Sequence, residues 1–439
     1  MMKRILVCMP KACGPAWVSQ LYKAAEGDYQ LMNHQACGCD NLLAHKSWLL
    51  HHDVGTGKTL TICTALGLKG EVFHVADTTH MSAPKKKKVL QGILDADGGV
   101  YVVLATYEAL SSKSMKDLLA KIKWTSLVMD ESHKIKSAGS KCSRRAKYLA
   151  DKNPEADRWC MTATPFANSP LDIYGQLRFM GVVSGTWSQF RDRYAVTHPD
   201  RPNWVFNYKN LDELHNNVNR VSCRASSDSV LDLPEQVHIE TPVQLNTVTR
   251  KLYKSLDEDF VASIQDKTVS VDNPLTKLLR LQQITGGFYE SNKIAKGTPE
   301  KAMALKEVID HDKPVVVFCR FTKDLEQVAE VVGKTYLELS GKRNELDKWQ
   351  KGDGRVLGVQ IKSGGAGIDL TRASLAVFYS IGYSLADYTQ ACGRLHRPGQ
   401  MTTTIFHHLV AKDTVDEQVY KAIQGKQQIL DFLLRGAAT

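Results

Sequence analysis

Short apolar runs that alternate with helical segments are the feature that most narrows the fold of this 439-residue chain. The runs are rich in β-branched and aromatic residues and do not alternate strictly between apolar and polar positions. Such runs are typical of parallel strands that are buried on both faces of a sheet. They form two series, 71–76, 100–107, 125–130 and 158–164, and then 313–321, 355–361 and 374–381. We therefore predict an α/β fold with two parallel sheets.

The stretch between the two series favours two domains over one large domain. Residues 181–312 are polar, mixed and mostly helical in pattern, and the sequence contains no internal repeat. A chain of this length has enough residues for two or three domains. We expect a first domain over residues 1–238, with a helical insertion near 181–230, and a second domain over residues 239–439, with a helical insertion near 245–300.

The composition is typical of a folded globular protein. Hydrophobic residues make up 43% of the chain and charged residues 24%, which excludes a disordered chain. No apolar run is long enough to span a bilayer. The amino-terminal apolar stretch is too short, and is interrupted too early by Pro10, to form a signal peptide. The net charge of +10 permits a polyanionic partner without proving one.

Ten cysteines raise the question of disulfides or a metal site. The only tight pair is Cys37 and Cys39, and no second pair stands at the spacing of zinc ligands. We expect reduced, mostly buried thiols, as in cytosolic proteins. A metal site at Cys37 and Cys39 is the alternative.

The segment "HHDVGTGKT" follows a short apolar run and opens a helical pattern. Gly55 and Gly57 let the backbone bend so that its N–H groups point at phosphate oxygens, and Lys58 adds a positive charge. Thr59 supplies a hydroxyl that can bind magnesium. The full phosphate-loop pattern requires a glycine where this chain has His52. A flexible loop with a chance lysine is the alternative.

A second segment, "LVMDESHKIKS", places Asp130 and Glu131 at the end of an apolar run. In open α/β sheets this end of a strand carries the ligand site. One carboxylate can hold magnesium, and the other can accept a proton from an attacking water. Adjacent acids are often solvated turn residues, but these follow a strand of the same domain as Lys58. His133 completes the tetrapeptide DESH.

A third segment, "QACGRLHRPGQ", contains Arg394 and Arg397 three residues apart. Residues at this spacing project from the same face of a helical turn. Two guanidinium groups that are always charged repel each other unless an anion lies between or in front of them. The alternative is that both arginines cap or ion-pair a helix.

Together these segments and "TATP" resemble motifs I, II, VI and III of the superfamily-two helicases. The details resemble the Swi/Snf-type branch in its compact bacterial and phage form. The resemblance runs in the right order from about residue 31 to 420. Five further segments resemble parts of the family. Residues 31–35 resemble its adenine-contacting segment, 161–180 its Thr-Pro followed by Asn-Ser and an apolar helix, and 229–236 the leucine-proline junction after its first lobe. Residues 314–321 resemble motif IV and 362–374 resemble motif V.

This resemblance implies two RecA-like lobes of the P-loop NTPase fold, with ATP and magnesium in the cleft between them. The implied nucleotide contacts are Gln35, Gly55, Thr56, Gly57, Lys58, Thr59, Gly367 and Asp369. Magnesium would bind Thr59 and Asp130, and Glu131 would activate water. Arg394 and Arg397 would stabilise the γ-phosphate, an effect of about 10³–10⁵ in rate. Gln390 would align the nucleotide or water, and Thr162 and Thr164 would couple the phosphate state to nucleic acid.

The residues that would contact DNA are harder to locate. Backbone and hydroxyl donors of Ser363, Gly364 and Gly365 fit phosphates, as do the consecutive lysines Lys85, Lys86, Lys87 and Lys88. A lysine run is also common on a solvated surface. The usual motif Ia is not recognisable in "FHVADTTHMSAPKKKKVL". The family's paired arginines are altered, and Arg220 and Arg224 are the nearest candidates.

The resemblance implies a compact ATP-dependent translocase on double-stranded or branched DNA that moves without full strand separation. No chromatin-reader module fits in the remaining residues, which argues against nucleosome remodelling. We expect a protein that is monomeric when free, binds no membrane, and acts in a bacterial or phage-infected cytoplasm with replication, repair or recombination proteins. The alternatives are an RNA-directed helicase and an ATP-gated DNA clamp that does not step. A degenerate structural relative is disfavoured because Lys58, Asp130, Glu131 and Arg397 are intact.

Overall fold

The chain divides into two compact units, the first made mainly of residues 2–232 and the second mainly of residues 233–426. Each unit contains one large parallel sheet with helices around it, which confirms the predicted α/β class. The computed structural model describes residues 2–27, 29–265, 274–289, 292–294, 297–309, 312–362 and 368–434.

The described residues of the first unit form nine strands, of which seven make its parallel sheet in the order β3-β4-β1-β5-β6-β2-β9. The other two, β7 and β8, form an antiparallel hairpin. The strands are β1 (Lys3–Met9), β2 (Ser47–His52), β3 (Phe73–Asp77), β4 (Val100–Thr106), β5 (Ser126–Asp130), β6 (Asp157–Met161), β7 (Ala195–His198), β8 (Arg201–Tyr208) and β9 (Ser222–Ala225). The helices are α1 (Gly14–Glu26), α2 (Asn33–Ala44), α3 (Lys58–Ala65), α4 (Ala83–Asp95), α5 (Tyr107–Ser111), α6 (Lys113–Lys121), α7 (Lys141–Lys152), α8 (Tyr174–Met180), α9 (Trp187–Tyr194), α10 (Leu211–Asn219) and α11 (Ser227–Val230).

The second unit has a six-stranded parallel sheet in the order β10-β17-β16-β13-β15-β14 and a small antiparallel pair, β11 and β12. Its strands are β10 (Gln236–Val243), β11 (Phe288–Tyr289), β12 (Asn292–Lys293), β13 (Val315–Cys319), β14 (Tyr336–Leu339), β15 (Val356–Gln360), β16 (Leu375–Phe378) and β17 (Thr404–Ala411). The remaining described helices are α12 (Thr247–Gln265), α13 (Pro274–Thr285), α14 (Glu300–Val308), α15 (Thr322–Val332), α16 (Leu346–Lys351), α17 (Leu385–Cys392) and α18 (Val415–Leu434), whose residues from Gln427 onward group with the first unit.

The core of the second unit shows why its strands are continuous apolar runs. Val315 and Val317 of β13 pack into one apolar cluster, and Val316 and Phe318 pack into another. Successive strand side chains point to opposite faces of a sheet. Both faces of β13 are therefore buried, as expected for a central parallel strand.

The amino-terminal apolar stretch is a central strand that the sequence reading did not predict. β1 lies between β4 and β5 and is parallel to both, with Val7 opposite Leu104 and Val128. Its residues from Ile5 to Met9 are almost completely inaccessible to solvent.

The boundary expected after residue 238 falls inside β10, which pairs along its length with β17. The second unit accordingly begins at Leu233. The insertion expected to be helical near 181–230 contains α9, α10 and α11, but also the β7–β8 hairpin and strand β9. Near 245–300 the described residues form α12, α13 and the short pair β11–β12.

All ten cysteines are free, and eight of them are buried, as expected for reduced thiols. Among the described helices, none combines the length and the apolar character that crossing a bilayer requires.

Candidate functional site

The glycine loop connects β2 to α3 at the carboxyl edge of the first sheet. Gly55 and Gly57 have φ angles of 86° and 84°, a region that residues with a Cβ rarely adopt. A Cβ added to Gly57 would also collide with the side-chain amide of Gln35. The conformation and the close approach both require glycine at position 57.

Helix α2 packs two side chains against the glycine loop. Gln35 Nε2 donates to Thr56 O at 3.1 Å, and its Oε1 accepts from Met32 N at 3.1 Å. His34 Nε2 lies 2.8 Å from the same Thr56 carbonyl oxygen. The structure therefore places Gln35 beneath the loop, and its contact with adenine stays a prediction. The contact of His34 with the loop was not predicted from the sequence. Its position next to Gln35 was the only indication that it could lie there.

Lys58 is the first residue of α3, and its ammonium group is hydrogen-bonded to the start of the loop. Nζ donates to the carbonyl oxygens of His52 and Asp53, at 2.8 Å each. Burial lowers the pKa of Lys58, while the charges of Glu131 and Asp130 oppose that shift. The structure therefore brings the predicted lysine and the predicted acids into one charged group. Thr59 follows in the first turn of α3 and is partly buried.

Strand register explains why these distant segments meet. Met161 of β6 pairs with Asp130 of β5 on one side and with Leu50 of β2 on the other. The carboxyl ends of three neighbouring parallel strands thus lie at one edge of the sheet. The glycine loop, the acids and the segment after β6 all leave the sheet at that edge.

Asp130 is 5% exposed and held by two hydrogen bonds from other elements. Trp17 Nε1 donates to Asp130 Oδ2 at 2.8 Å, and Tyr107 Oη donates to Asp130 O at 2.6 Å. Burial, with a further contribution from the charge of Glu131, raises the pKa of Asp130 to about 7. A bound dication or the ammonium of Lys58 favours its ionised form.

Glu131 adopts a left-handed backbone conformation with φ of 51°, which costs about 1–3 kcal/mol for a residue with a side chain. Its Oε2 lies 3.2 Å from His133 Nδ1 and 3.5 Å from Thr162 Oγ1. Burial raises the pKa of Glu131, but the interactions with His133, together with the charges of Lys58 and Lys134, outweigh burial and lower it. Glu131 is therefore ionised at neutral pH, as a general base must be.

The two threonines after β6 contact the acid segment directly. Thr162 Oγ1 lies 3.2 Å from His133 Nδ1 and accepts from Thr164 N at 3.1 Å. Both threonines are almost completely buried. Their placement beside Glu131 and His133 fits the predicted coupling role, which stays a prediction.

Gln176 of α8 joins the same two segments and was missed in the sequence. Its Oε1 accepts from Ser132 Oγ at 2.7 Å, and its Nε2 donates to Pro165 O at 2.7 Å. The side chain is completely buried. Gly175 next to it lies so close to the backbone after Glu131 that an added Cβ would overlap the carbonyl oxygen of Ile135. A Gly-Gln pair inside an apolar helix was the available signal.

In the second unit, α17 ends at Cys392, so Arg394 and Arg397 lie in the turns after the helix and do not share a helical face. Arg394 is 6% exposed, and burial lowers its pKa to about 10. Arg397 is partly exposed, and its Nη1 donates to Ile368 O at 3.3 Å. Gln390 lies in the last turn of α17 and is partly exposed. The two arginines are therefore not equivalent.

Asp369 folds back on its own turn, accepting hydrogen bonds from Thr371 N at 2.9 Å and Thr371 Oγ1 at 2.7 Å. Burial raises the pKa of Asp369, but the Thr371 hydrogen bonds and the charge of Arg397 outweigh burial and lower it. Its contact with nucleotide stays a prediction. The predicted residues Ser363, Gly364, Gly365 and Gly367 lie outside the described residues.

The lysine run Lys85–Lys88 forms the first turns of α4 and is mostly exposed. The side chains of these four lysines make no hydrogen bond or ion pair with the described residues of the chain. Because α4 follows β3, it begins at the carboxyl ends of the strands, as the glycine loop does. β3 is the outermost strand of the sheet, however, so α4 does not directly follow one of the strands that carry the glycine loop and the acids. Arg224 pairs in register with His51 of β2, and Arg220 caps α10. Their roles in DNA binding stay predictions.

The donor set suits magnesium bound together with phosphate. Mg²⁺ typically takes one or two protein oxygens and completes its shell with waters and substrate phosphates. Asp130 and Thr59 supply that number of oxygens beside the glycine loop. Within the described ranges, no group of three or more His, Cys, Asp or Glu side chains could hold a metal by itself. Cys37 instead accepts a hydrogen bond from Asn41, and Cys39 donates to Thr61 O.

Comparison with known proteins gives two family matches. A family model described as SNF2-related domain matches residues 76–287, and one described as Helicase conserved C-terminal domain matches residues 300–399. Together they cover most of the chain.

Three relatives illustrate the similarity. An "Uncharacterized ATP-dependent helicase" of Mycoplasma pneumoniae is 25% identical over 358 residues, which are 76% of this chain and 32% of that protein. The human "DNA annealing helicase and endonuclease ZRANB3" is 26% identical over 378 residues, 82% of this chain and 33% of that protein. "Putative protein p41" of Acyrthosiphon pisum secondary endosymbiont phage 1 is 25% identical over 333 residues, 70% of this chain and 71% of that protein. The chain thus spans about a third of the length of the first two relatives.

Proposed function

The chain belongs to the Swi/Snf-type branch of the superfamily-two helicases, a family of ATPases, and from that premise we propose that it couples ATP hydrolysis to movement along double-stranded DNA. The observation that carries this proposal is the convergence of Lys58, Asp130 and Glu131 beside the glycine loop, with Glu131 in contact with Thr162. A phosphate-binding loop and an ionised base are thereby linked to the segment that would sense the state of the nucleotide.

The residues of the first unit have distinct roles in the proposed reaction. The glycine loop and Lys58 bind the β- and γ-phosphates, and Lys58 exchanges its two carbonyl contacts for phosphate oxygens. Asp130 and Thr59 hold magnesium, which neutralises charge on the phosphates when it is bound. Glu131 orients the attacking water and accepts its proton, and His133 holds that carboxylate by a hydrogen bond.

We assign the charge-stabilising role in the second unit to Arg397 in preference to Arg394. A guanidinium that stabilises a transferring phosphoryl group must reach its oxygens, and Arg397 is partly exposed. Arg394 is buried, and the charged side chain that acts on its guanidinium is that of Asp387 in α17. The proposed roles of Gln390 and Asp369 are to align water and nucleotide.

The choice of DNA as the track is supported by the net charge of +10 and by the DNA activity in the name of the ZRANB3 relative. The phage relative supports action in a bacterial or phage-infected cytoplasm. We further propose that the protein is monomeric when free and works with replication, repair or recombination proteins.

ATP hydrolysis should be measured without nucleic acid and with duplex DNA, single-stranded DNA and RNA. We expect slow basal hydrolysis and a several-fold or greater stimulation by duplex DNA, with little stimulation by RNA. Equal stimulation by RNA would contradict the choice of DNA, and fast hydrolysis without nucleic acid would contradict a motor.

A triplex-displacement assay then separates a motor from a clamp. A translocating protein displaces the third strand while it hydrolyses ATP, whereas a clamp hydrolyses ATP on DNA and leaves the triplex intact. Glu131→Gln is the control, because it retains the shape of the site and lacks the base. Wild-type hydrolysis without displacement would favour the ATP-gated clamp.

A further inference from the structure

We propose that Trp17 is a positioning residue for Asp130, so that the β1–α1 segment (residues 3–26) completes the magnesium site of the first unit. This inference rests on the proposed function, in which Asp130 is a magnesium ligand. Neither the sequence motifs nor the family matches, which begin at residue 76, assign a role to this segment.

The contact itself is short and enclosed. Trp17 Nε1 donates to Asp130 Oδ2 at 2.8 Å, and Trp17 is completely buried. An indole N–H can only donate, and an ionised carboxylate can only accept. The bond therefore fixes the position of one of the two carboxylate oxygens of Asp130.

The fold explains how a residue so early in the chain reaches this acid. Cys8 of β1 lies opposite Met129 of β5, so both strands end at the same edge of the sheet. Helix α1 begins five residues after β1 ends, and Trp17 lies in its first turn. Helical side chains lean toward the amino terminus of their helix, which directs the indole back toward the end of β5.

The start of α1 has little freedom to move. A Cβ added to Gly14 would lie 2.7 Å from Thr79 Oγ1 and 3.2 Å from Asp77 Oδ2. The helix is therefore packed tightly against the turn that follows β3. The hydrogen bond from Trp17 therefore ties Asp130 to a closely packed helix start.

Hydrogen-bond partners of metal-binding side chains orient their ligands, and their loss typically lowers metal affinity by about 10–100-fold. A purely structural Trp17 would affect the stability of the unit without changing its magnesium requirement. The two roles therefore differ in the dependence on magnesium concentration.

The test compares Trp17→Phe with Trp124→Phe in the full chain. Trp124 is also a buried tryptophan of the first unit, and its Nε1 donates to Leu119 O at 2.8 Å. It precedes β5, at the opposite end of that strand from Asp130. Each substitution retains an aromatic ring and removes one indole hydrogen bond, but only one of these bonds reaches the acid.

Binding of a fluorescent ADP analogue is measured as a function of free Mg²⁺ concentration, together with binding in the absence of Mg²⁺. For Trp17→Phe we expect the half-saturating Mg²⁺ concentration to rise by about 10–100-fold, with unchanged affinity without Mg²⁺. Trp124→Phe should match the wild type in both measurements. Equal Mg²⁺ curves for the two variants would overturn the inference. A wild type whose nucleotide binding ignores Mg²⁺ would overturn the proposed function as well.

Trp17→His provides a second comparison that does not depend on the stability of the phenylalanine variant. Histidine retains a ring N–H but packs less well in an apolar core. If Trp17 positions Asp130, the histidine variant needs less Mg²⁺ than the phenylalanine variant although it unfolds at a lower temperature. If the histidine variant is the less stable of the two and also needs the higher Mg²⁺ concentration, the role of Trp17 is structural and the inference is wrong.

Discussion

Gly175→Ala tests how closely the catalytic base depends on α8. An added Cβ would overlap the carbonyl oxygen of Ile135 and lie 3.1 Å from that of Lys136. Both partners are backbone atoms of the segment that directly follows Glu131, so no side chain can rotate away. We expect α8 and this segment to separate by about 1 Å, a misplacement that costs about 10²-fold in rate.

The same overlap destabilises the first unit, because overpacking of a core typically costs about 1–3 kcal/mol. The turnover number of DNA-stimulated ATP hydrolysis is measured at saturating ATP, and the free energy of unfolding is measured by urea titration. Gly92→Ala is the matched control. Gly92 lies in α4 with no atom within 4 Å of an added Cβ, so this change should leave turnover intact and stabilise the helix by about 0.5–1 kcal/mol. A folded Gly175→Ala protein with wild-type turnover would refute the reasoning.

Four further predictions concern titratable side chains. Glu131→Gln should bind ATP and DNA but hydrolyse almost no ATP in a phosphate-release assay, whereas Lys58→Ala should weaken ATP binding in equilibrium titrations because the cation beside the phosphates is lost. Arg397→Ala should retain ATP binding and lose hydrolysis by about 10³-fold or more; full turnover would remove its proposed role. Burial lowers the pKa of His408 to about 3, below about 6.5 in the unfolded chain. The unfolded state therefore binds the proton first, and stability is lost as pH falls below about 6.5. Between pH 7.5 and 5 the loss due to His408 is about 2 kcal/mol, so His408→Phe should show a correspondingly smaller decrease in urea midpoint.

The short linear motifs could be predicted because each concentrates its chemistry within a few residues. The glycine loop needs flexible backbone and a cation in sequence, and the acids need only to follow a strand. Their meeting could also be anticipated, since parallel strands of one sheet end at the same edge. The charges of Lys58, Asp130 and Glu131 do act on one another in the structure.

Residues that act across the chain carried no such signal. Trp17 reaches Asp130 over 113 positions, and Gln176 reaches Ser132 over 44. Their environment depends on strand order, which local patterns do not define. β1 was overlooked for a related reason. Two charged residues open it and Pro10 follows it, so the sequence alone does not indicate a central strand. Its position between β4 and β5 becomes clear only from the strand order.

The arginine pair shows how an assumed local structure can mislead. The spacing of Arg394 and Arg397 implied one shared anion only if both lay on a helix. Because α17 ends at Cys392, the two side chains leave the backbone in different environments, one buried and one partly exposed. Spacing alone identified the important segment but could not divide the roles within it.

Hydrogen bonds connect the segment of Glu131 to α8 and to the insertion that follows α8. Ser132, the next residue, is bonded to Gln176, and Gln176 is bonded to Pro165 after the two threonines. One residue before Gly175 in α8, Tyr174 Oη donates to Gly185 O at 2.9 Å, just ahead of α9. A shift of Glu131 and Ser132 must therefore break the 2.7 Å bond between Ser132 and Gln176 or move α8 with it. Since α8 also contacts the start of the insertion that contains α9 and the β7–β8 hairpin, a displacement of the Glu131 segment and a displacement of that insertion are linked through one short helix.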